Sequence, residues 1–391
     1  VTSGKAPSEP LPDFRVEIPA DKSHGDFAVN TAMVCAKAFK LPPRKIAEMI
    51  CDELVLDGTY FERTEIAGPG FINFFLGRRW FSEIVDTVIK EGSEYGKTGS
   101  GKKVLVEFVS ANPTGPMHIG NARGGAIGDC LAEIMKWAGY DVQREFYVND
   151  AGNQIEKFGK SLNLRFMQIC NGKGQAVIEK CSGNIQDICE TIYNDTENFP
   201  MPEDVYLGMD IIEHAYNYFK ENGSSLSSEN EDIRKKTLTD FALPKNIAGL
   251  ERDLAKYRIT YDNWFKESTL HNDGSVNEII QKLKASGYTY EQDGALWFKS
   301  SQLGDEKDRV LIRANGVVTY FVPDIAYHYN KLVTRGYDKA IDIFGADHHG
   351  YIPRMKAALT ALGVDANKLD IVIMQMVNLV RNGEKYKLSK R

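Results

Sequence analysis

Residues 104–125 read VLVEFVSANPTGPMHIGNARGG, and this stretch decides the fold. Its first six residues form a short apolar run of the kind that makes a buried strand. A turn rich in Asn, Pro and Gly follows, and from about His118 an apolar stripe repeats at helical spacing until Gly139 ends it. A second apolar run at 141–148 predicts another strand, so the segment is predicted to be a strand–helix–strand unit.

The same order of elements returns near the end of the chain. Residues 340–345 and 370–376 have the pattern of strands, and residues 354–363 between them have the pattern of a helix. Two such halves predict an α/β fold with an open parallel sheet of the Rossmann type and helices on both faces. Ligands of such sheets bind beyond the carboxyl ends of the strands.

Two further regions precede and interrupt this predicted sheet. Residues 1–95 combine two helical patterns with alternating strands around a Gly-Pro-Gly turn, which predicts a small α+β N-terminal domain. The polar run 94–103 is predicted to be a linker, so the sheet-containing domain would occupy residues 96–391. Residues 165–255 are polar with helical patterns, and they predict a helical insertion.

The composition excludes several classes of protein. The chain has 391 residues, 42% of them hydrophobic, and a net charge of −6, which is ordinary for a globular protein and not that of a polycation. The apolar runs are shorter than a membrane span, and the first residues lack the apolar core of a signal peptide. Six scattered cysteines without a C-x-x-C pair predict reduced thiols. We therefore expect a cytoplasmic protein with no membrane partner and no structural metal.

The turn before the first predicted helix is the first candidate site. A helix N-terminus offers unpaired N–H groups and the positive end of the helix dipole, both of which favour phosphate. His118 and Asn121 are three residues apart and would share a face of the first turn. Side-chain bulk is missing from this helix at Gly120, Gly124, Gly125 and Gly128. A flat nucleotide could therefore lie against it, although H-x-G-x alone is equally compatible with a glycine-tolerant turn and a capping histidine.

The second candidate site is KLSKR at 387–391. Lys387 and Lys390 are three residues apart in a predicted loop, with Ser389 between them. Two ammonium groups at this spacing can bracket a pyrophosphate leaving group and stabilise its negative charge. By itself, a short basic run is more often a solvated surface.

Taken together, the two candidate sites resemble a known arrangement. H-x-G-x after the first strand and K-x-S-K after the last strand resemble the two motifs of the class I aminoacyl-tRNA synthetases. Longer segments at 106–129, 147–159, 308–328 and 345–359 strongly resemble bacterial-type arginyl-tRNA synthetase, and 22–37 is similar to its additional N-terminal domain. The resemblance covers nearly the whole chain and is weakest in the insertion.

The resemblance implies a role for each matching residue. Glu107, Tyr320 and Asp324 would hold the substrate guanidinium, with the rest of arginine bound by Ser110, Asn112 and His348. The residues implied to contact ATP are Gly115, His118, Gly120, Asn121, Gly345, Asp347, Lys387, Ser389 and Lys390. The residues implied to take part in catalysis are His118, Asn121, Lys387 and Lys390.

Physical reasoning supports the implied guanidinium site. A carboxylate is the bidentate partner of a guanidinium, and Tyr320 and Asp324, four residues apart, would share a face of a helix. The alternative for Asp324 is a helix N-cap next to Pro323.

The chain departs from the family pattern in two ways. Asn121 stands where the usual H-I-G-H has its second histidine, so this position can donate a hydrogen bond but cannot carry a charge. The sequence also stops at Arg391, where the family continues into a helical anticodon-binding domain, and we expect that domain to be absent from this chain.

The resemblance implies an arginine–tRNA ligase that acts as a monomer on arginine, ATP with Mg²⁺, and tRNA. Arginine would first become arginyl-adenylate and then pass to the 3′ end of the tRNA, which the N-terminal domain would also contact. Two alternatives remain. One is a related nucleotidyltransferase that activates a small carboxylic acid without tRNA, and the other is a non-catalytic tRNA-binding fragment.

Overall fold

The computed structural model describes residues 11–386, apart from the side chains of Asp347 and Tyr386. The described residues form two compact units that divide between Lys97 and Thr98. In the first unit, an antiparallel sheet has the strand order β1-β2-β4-β3. Its strands are β1 (Val16–Glu17), β2 (Phe27–Val29), β3 (Phe61–Ala67) and β4 (Phe71–Leu76). Its helices are α1 (Thr31–Val34), α2 (Ala36–Phe39), α3 (Pro43–Glu53) and α4 (Arg78–Glu91).

The first unit packs helix α3 against its sheet. Pro43 starts α3, where its missing N–H costs no helical hydrogen bond. The turn between β3 and β4 lies close to this helix start, because a Cβ at Gly70 would be 2.9 Å from the Pro43 carbonyl carbon. Ile46 of α3 and Ile72 of β4 are buried in the same small core.

The second unit is built on a parallel sheet. The strands of this unit are β5 (Lys103–Phe108), β6 (Asp141–Val148), β7 (Asn263–Lys266), β8 (Thr289–Gln292), β9 (Ala295–Phe298), β10 (Arg309–Ile312), β11 (Lys339–Gly345), β12 (Leu369–Met374), β13 (Leu379–Arg381) and β14 (Glu384–Tyr386). The five-stranded sheet has the order β7-β6-β5-β11-β12, with every neighbouring pair parallel. Strands β8, β9 and β10 form a separate antiparallel sheet.

The helices of the second unit are α5 (Gly120–Trp137), α6 (Asn153–Cys170), α7 (Gly172–Lys180), α8 (Ile185–Asn194), α9 (Met209–Asn222), α10 (Glu231–Lys256), α11 (Glu267–Asn272), α12 (Ser275–Ala285), α13 (Phe321–Tyr329) and α14 (Tyr351–Ala361). A π-helical segment, Asn330–Thr334, continues α13. Helices α6 to α10 lie between β6 and β7 and form the helical insertion, which has its own hydrophobic core. These elements confirm the predicted α/β fold class.

The strand order locates the site. The chain crosses from β5 outwards to β6 and β7, then returns to the other side of β5 to form β11 and β12. The order therefore reverses between β5 and β11, and a crevice opens beyond the carboxyl ends of these two strands. The segment after β5 is the stretch that contains His118, and the segment after β11 contains His348.

Candidate active site

Strand β5 ends in a strained turn. The Ser110 N–H donates to the Phe108 carbonyl at 3.0 Å, and Val109 between them has a φ of 69°. This is a left-handed γ-turn, which is rare for any residue and most unfavourable for a β-branched one. The turn directs the Ser110 hydroxyl back to the strand, where Oγ donates to Glu107 Oε1 at 2.8 Å and accepts from the Tyr147 N–H at 3.1 Å.

The geometry of His118 explains the glycine two residues after it. The Gly120 N–H donates to His118 Nδ1 at 3.0 Å, and a Cβ on Gly120 would be only 2.7 Å from ring atom Cε1. A larger residue would push the ring away. Because Nδ1 accepts a hydrogen bond, the neutral ring carries its proton on Nε2. Asn121 Oδ1 accepts from the His118 N–H at 3.2 Å, so its Nδ2 group is left as the donor of this side chain.

Three of the four glycines of α5 serve protein packing. A Cβ would be 3.0 Å from Met374 at Gly124 and 2.8 Å from Ile259 at Gly125, and at Gly128 it would overlap the Phe108 ring. These contacts bring α5 close to the sheet. The prediction that these glycines leave room for a flat nucleotide is therefore wrong for Gly125 and Gly128, because protein side chains fill that space.

Three carboxylates form a row across the centre of the sheet. In the strand register, Asp342 of β11 is beside Glu107 of β5, and Glu107 is beside Glu145 of β6. All three side chains are buried. Neighbouring residues in a parallel register point to the same face, so the three negative charges lie side by side in the interior, where unpaired charge is very costly.

Two cations from the segment after α13 neutralise part of this row. Lys331 Nζ, which is fully buried, is 2.5 Å from Glu107 Oε2 and 2.8 Å from Asp342 Oδ1. Arg335 makes a bidentate pair with Glu145, at 2.5 and 2.7 Å. The wide turn of the π-helical segment comes between α13 and Arg335, and such turns occur frequently at functional sites.

His328 is a further partner of the row. Its Nδ1 is 2.7 Å from the backbone oxygen of Asp324, and its Nε2 is 2.7 Å from Asp342 Oδ2. Burial acts to raise the pKa of Asp342, but Lys331 and His328 outweigh it and lower this pKa to about 2. The ring therefore links Asp342 of β11 to the backbone of Asp324 on α13. The pKa of Glu107 stays raised, because its burial and the nearby Asp342 outweigh the attraction of Lys331.

Asp324 differs from the three carboxylates of the row, each of which is paired with a cation. Its side chain faces the crevice, and in the described part of the chain no hydrogen bond or ion pair engages its carboxylate. Burial raises the pKa of Asp324 to about 7, with the nearby Glu267 and Glu107 adding to the effect and His328 opposing it. A cation that entered the crevice would find Asp324 as an unpaired carboxylate, whereas Glu107 already has Lys331 and Ser110 as partners.

The crevice has a volume of about 1000 Å³ and brings most of the predicted residues together. Those that line it are Glu107, Ser110, Asn112, His118, Gly120, Asn121, Asp324, Gly345 and His348. The ring of His348 packs against Phe344 and Tyr351 at centroid distances of 5.1 and 6.3 Å. The pocket therefore joins the end of β5, the start of α5, the start of α13 and the end of β11.

Two predicted residues lie elsewhere. Gly115 is buried, and a Cβ there would be 3.1 Å from Asp210 Oδ2 of α9, so this glycine contacts the insertion. Tyr320 is 52% exposed and lines a separate cavity of about 310 Å³ with Arg313 and His271. Tyr320 is the N-cap residue of α13 and is not among the residues that line the crevice with Asp324. The predicted residues Lys387, Ser389 and Lys390 and the side chain of Asp347 lie outside the described part of the chain.

Sequence reasoning missed the cations of the carboxylate row. A signal for them existed, because Glu107 and Asp342 each interrupt an otherwise apolar strand, and a buried carboxylate requires a positive partner. The identity of that partner depended on the π-helical segment, which the sequence pattern did not predict.

Within 11–386, no helix is long and apolar enough to cross a bilayer. In the same part of the chain, no three His, Cys, Asp or Glu side chains are grouped as a metal site would require.

Two protein-family models match the chain. The model described as the catalytic domain of class I (R) tRNA synthetases matches residues 84–391. The model described as the N-terminal domain of arginyl-tRNA synthetase matches residues 3–76.

Individual relatives agree with the family models. An arginine–tRNA ligase of Acetivibrio thermocellus is 49% identical and matches 100% of this chain and 66% of its own length. An arginine–tRNA ligase of Caldanaerobacter subterraneus is also 49% identical, over 98% of this chain and 64% of its own length. The chain thus spans about two thirds of the length of these relatives. A solved arginyl-tRNA synthetase from Thermus thermophilus has the same fold, with a TM-score of 0.59 at 19% identity over 93% of this chain and 62% of its own.

Proposed function

The chain belongs to the arginyl-tRNA synthetase family, and from this premise we propose that it activates L-arginine with ATP and transfers the arginyl group to the 3′ end of its tRNA. The two steps share one crevice. Arginine occupies the side formed by α13 and the end of β5, and ATP occupies the side formed by the start of α5 and the end of β11.

The observation that carries this proposal is the unpaired carboxylate of Asp324. The substrate guanidinium is a planar cation that a carboxylate can bind through two parallel hydrogen bonds. Glu107 is held by Lys331 and Ser110 in the same pocket, so we assign it a supporting role and assign the bidentate contact to Asp324. Asn112 and His348 line the same crevice and would bind the α-amino and carboxylate ends of arginine.

Adenylate formation needs no nucleophile from the protein. A carboxylate oxygen of arginine forms a bond to the α-phosphorus of ATP, and the bond from that phosphorus to the bridging oxygen breaks, so that its electron pair leaves with pyrophosphate. Positioning and charge stabilisation supply the catalysis. His118 Nε2–H and the N–H groups at the start of α5 would stabilise the phosphates, and Mg²⁺ would enter bound to ATP. We propose that Lys387 and Lys390 act on the leaving pyrophosphate.

The proposal extends to the partners of the protein. The N-terminal domain would contact the tRNA, and the protein would work as a monomer in the cytoplasm. Its membership of the family favours arginine and tRNA over the alternative of a tRNA-independent enzyme that activates another small acid.

The test is the exchange of labelled pyrophosphate into ATP. We expect pyrophosphate exchange to require arginine and to increase when tRNA for arginine is added. Citrulline, which keeps the shape of arginine but lacks the charge, should not support exchange. Pantoate and cysteine, as substrates of related nucleotidyltransferases, are the matched controls. Exchange driven equally well by any of these three compounds would contradict the proposal, and tRNA binding without any exchange would favour a non-catalytic role.

A further inference from the structure

The helical insertion makes direct contact with the loop that precedes α5. Asn246 of α10 donates from Nδ2 to the backbone oxygen of Pro113 at 2.9 Å. Its Oδ1 is 2.7 Å from Nε2 of His214 on α9. Since Asn246 Oδ1 can only accept, His214 must donate, and the amide orientation is fixed from both sides. The chain of contacts therefore runs from α9 through α10 to the loop of residues 111–118.

Helix α10 belongs to two hydrophobic cores. Leu238 and Ala242 are buried in the core of the insertion, whereas Leu250 and Leu254 are buried in the core of the parallel sheet. Pro244 lies between these two pairs, inside the helix, where it removes one hydrogen bond of the helical ladder. Asn246 is therefore at the junction where the insertion meets the catalytic sheet.

A second contact supports the same junction. Gly115 of the loop is buried against Asp210 of α9, and Pro116 of the loop lines a cavity of about 650 Å³ together with Pro244 and Asn246. The loop thus accepts a hydrogen bond from the insertion at Pro113 and packs closely against it at Gly115. Both positions lie between Asn112 and His118, which line the crevice.

We propose that Asn246 is a positioning residue for adenylate formation, and that the helical insertion sets the position of the 111–118 loop through it. The expected effect on the rate of adenylate formation rests on the proposed function. The expected effect on the mobility of the loop does not depend on any activity. Asn246 contacts no part of the crevice described above. It acts through the Pro113 carbonyl, which fixes the backbone between two residues that face the substrates.

The test compares two isosteric substitutions. Asn246→Asp keeps the shape of the side chain but replaces the donor with an oxygen that repels the Pro113 carbonyl. Asn222→Asp is the matched control, because Asn222 on α9 also donates to a backbone carbonyl, that of Tyr218 at 3.2 Å, but is exposed and away from the loop. Hydrogen exchange of the backbone amides of Thr114, Gly115, Met117 and His118 is measured in both variants. We expect at least tenfold faster exchange in Asn246→Asp and no change in Asn222→Asp.

The kinetic readout separates positioning from general damage. A lost buried hydrogen bond of this kind predicts a fall of about 10- to 100-fold in kcat for adenylate formation. The preference for arginine over citrulline should stay unchanged, because Asp324 is on α13 and not on the loop. If Asn246→Asp does not fold, Asn246→Ala removes the donor without adding charge, and the same comparison is made with it.

Each outcome decides a different point. Loop exchange and kcat equal to those of the control would overturn the inference. If the variant shows faster hydrogen exchange in the loop, but the wild type shows no arginine-dependent exchange of pyrophosphate into ATP, the structural role of Asn246 is supported and the proposed function is refuted. A parallel loss of arginine preference would also overturn the inference, because it would show that the substitution disturbs the whole crevice.

Discussion

Replacing Asp324 with Asn should stabilise the protein without substrate and at the same time abolish its recognition of arginine. In the folded state the pKa of Asp324 is about 7, compared with 3.8 for a free side chain. Between these two pH values the folded state binds more protons than the unfolded state. The free energy of unfolding therefore falls as pH rises through this window, and above about pH 7 the full cost of the buried charge is present.

The size of the effect follows from the pKa difference. A shift of about 3 pKa units corresponds to about 4 kcal/mol at pH 8, at about 1.4 kcal/mol per unit. At pH 5, only about one unit above the pKa of the unfolded state, the free energy of unfolding is lowered by about 2 kcal/mol. Asn at position 324 cannot ionise, so Asp324→Asn should gain these amounts in the absence of arginine.

Arginine binding should change in the opposite direction. Without its bidentate partner, the guanidinium loses a contact worth about 3–5 kcal/mol, which corresponds to a loss of affinity of two to three orders of magnitude or more. The assay is chemical denaturation of the free protein at pH 5 and pH 8, followed by titration with arginine and citrulline. Asp187→Asn on α8, which changes an exposed carboxylate, is the control and should leave both measurements nearly unchanged.

The reasoning fails if Asp324→Asn is less stable than the wild type at pH 8. Asp324 is not the N-cap of α13, which is Tyr320, so that result would mean that the charged carboxylate in the first turn stabilises the positive end of the helix dipole. A variant that still prefers arginine to citrulline by the margin of the wild type would refute the assignment of the guanidinium contact.

Three further predictions follow from the same geometry. Arginine affinity should fall about tenfold for each pH unit below about 7 and level off above it, because protonated Asp324 cannot pair with the guanidinium. Titration with arginine from pH 5.5 to 8.5 checks this, and Asp324→Asn should show no such pH dependence. His118→Ala should lower the rate of adenylate formation roughly a hundred- to thousandfold, which corresponds to about 2.7–4 kcal/mol of activation free energy. Arginine affinity, measured by equilibrium titration, should stay unchanged. An equal loss of arginine binding would contradict the placement of His118 on the ATP side of the crevice. Lys331→Met should cost about 3–5 kcal/mol in the free energy of unfolding, because it leaves two buried carboxylates with one cation fewer, and denaturation that matched the exposed control Lys236→Met would contradict the pairing.

The sequence was sufficient to predict four of the five strands of the parallel sheet, and it missed the short strand β7. Buried parallel strands are continuous apolar runs, so β5, β6, β11 and β12 were visible from hydrophobicity alone. The rule that ligands bind beyond the carboxyl ends of parallel strands then directed attention to the segments after β5 and β11. The close approach of the His118 ring to the Gly120 backbone was seen only in the structure.

Pairings between distant segments could not be predicted in the same way. Lys331 and Glu107 are separated by 224 residues, and Asn246 and Pro113 by 133. Neither pair has a local spacing that periodicity could detect. The turn at Val109 was missed for a different reason, since a β-branched residue in a left-handed conformation contradicts its own propensity and is held there by the surrounding contacts.

The buried row of Asp342, Glu107 and Glu145, with Lys331 and Arg335 as its cationic partners, constrains how this sequence can evolve. A single substitution that removes one charge leaves its partner buried and unpaired. Each single mutant is therefore expected to be less stable than the present sequence. Paired losses, such as Lys331→Met with Asp342→Asn, restore the balance and should recover part of the stability that Lys331→Met loses. The row therefore predicts strong epistasis, in which charges at these positions disappear from homologous sequences two at a time and rarely one at a time.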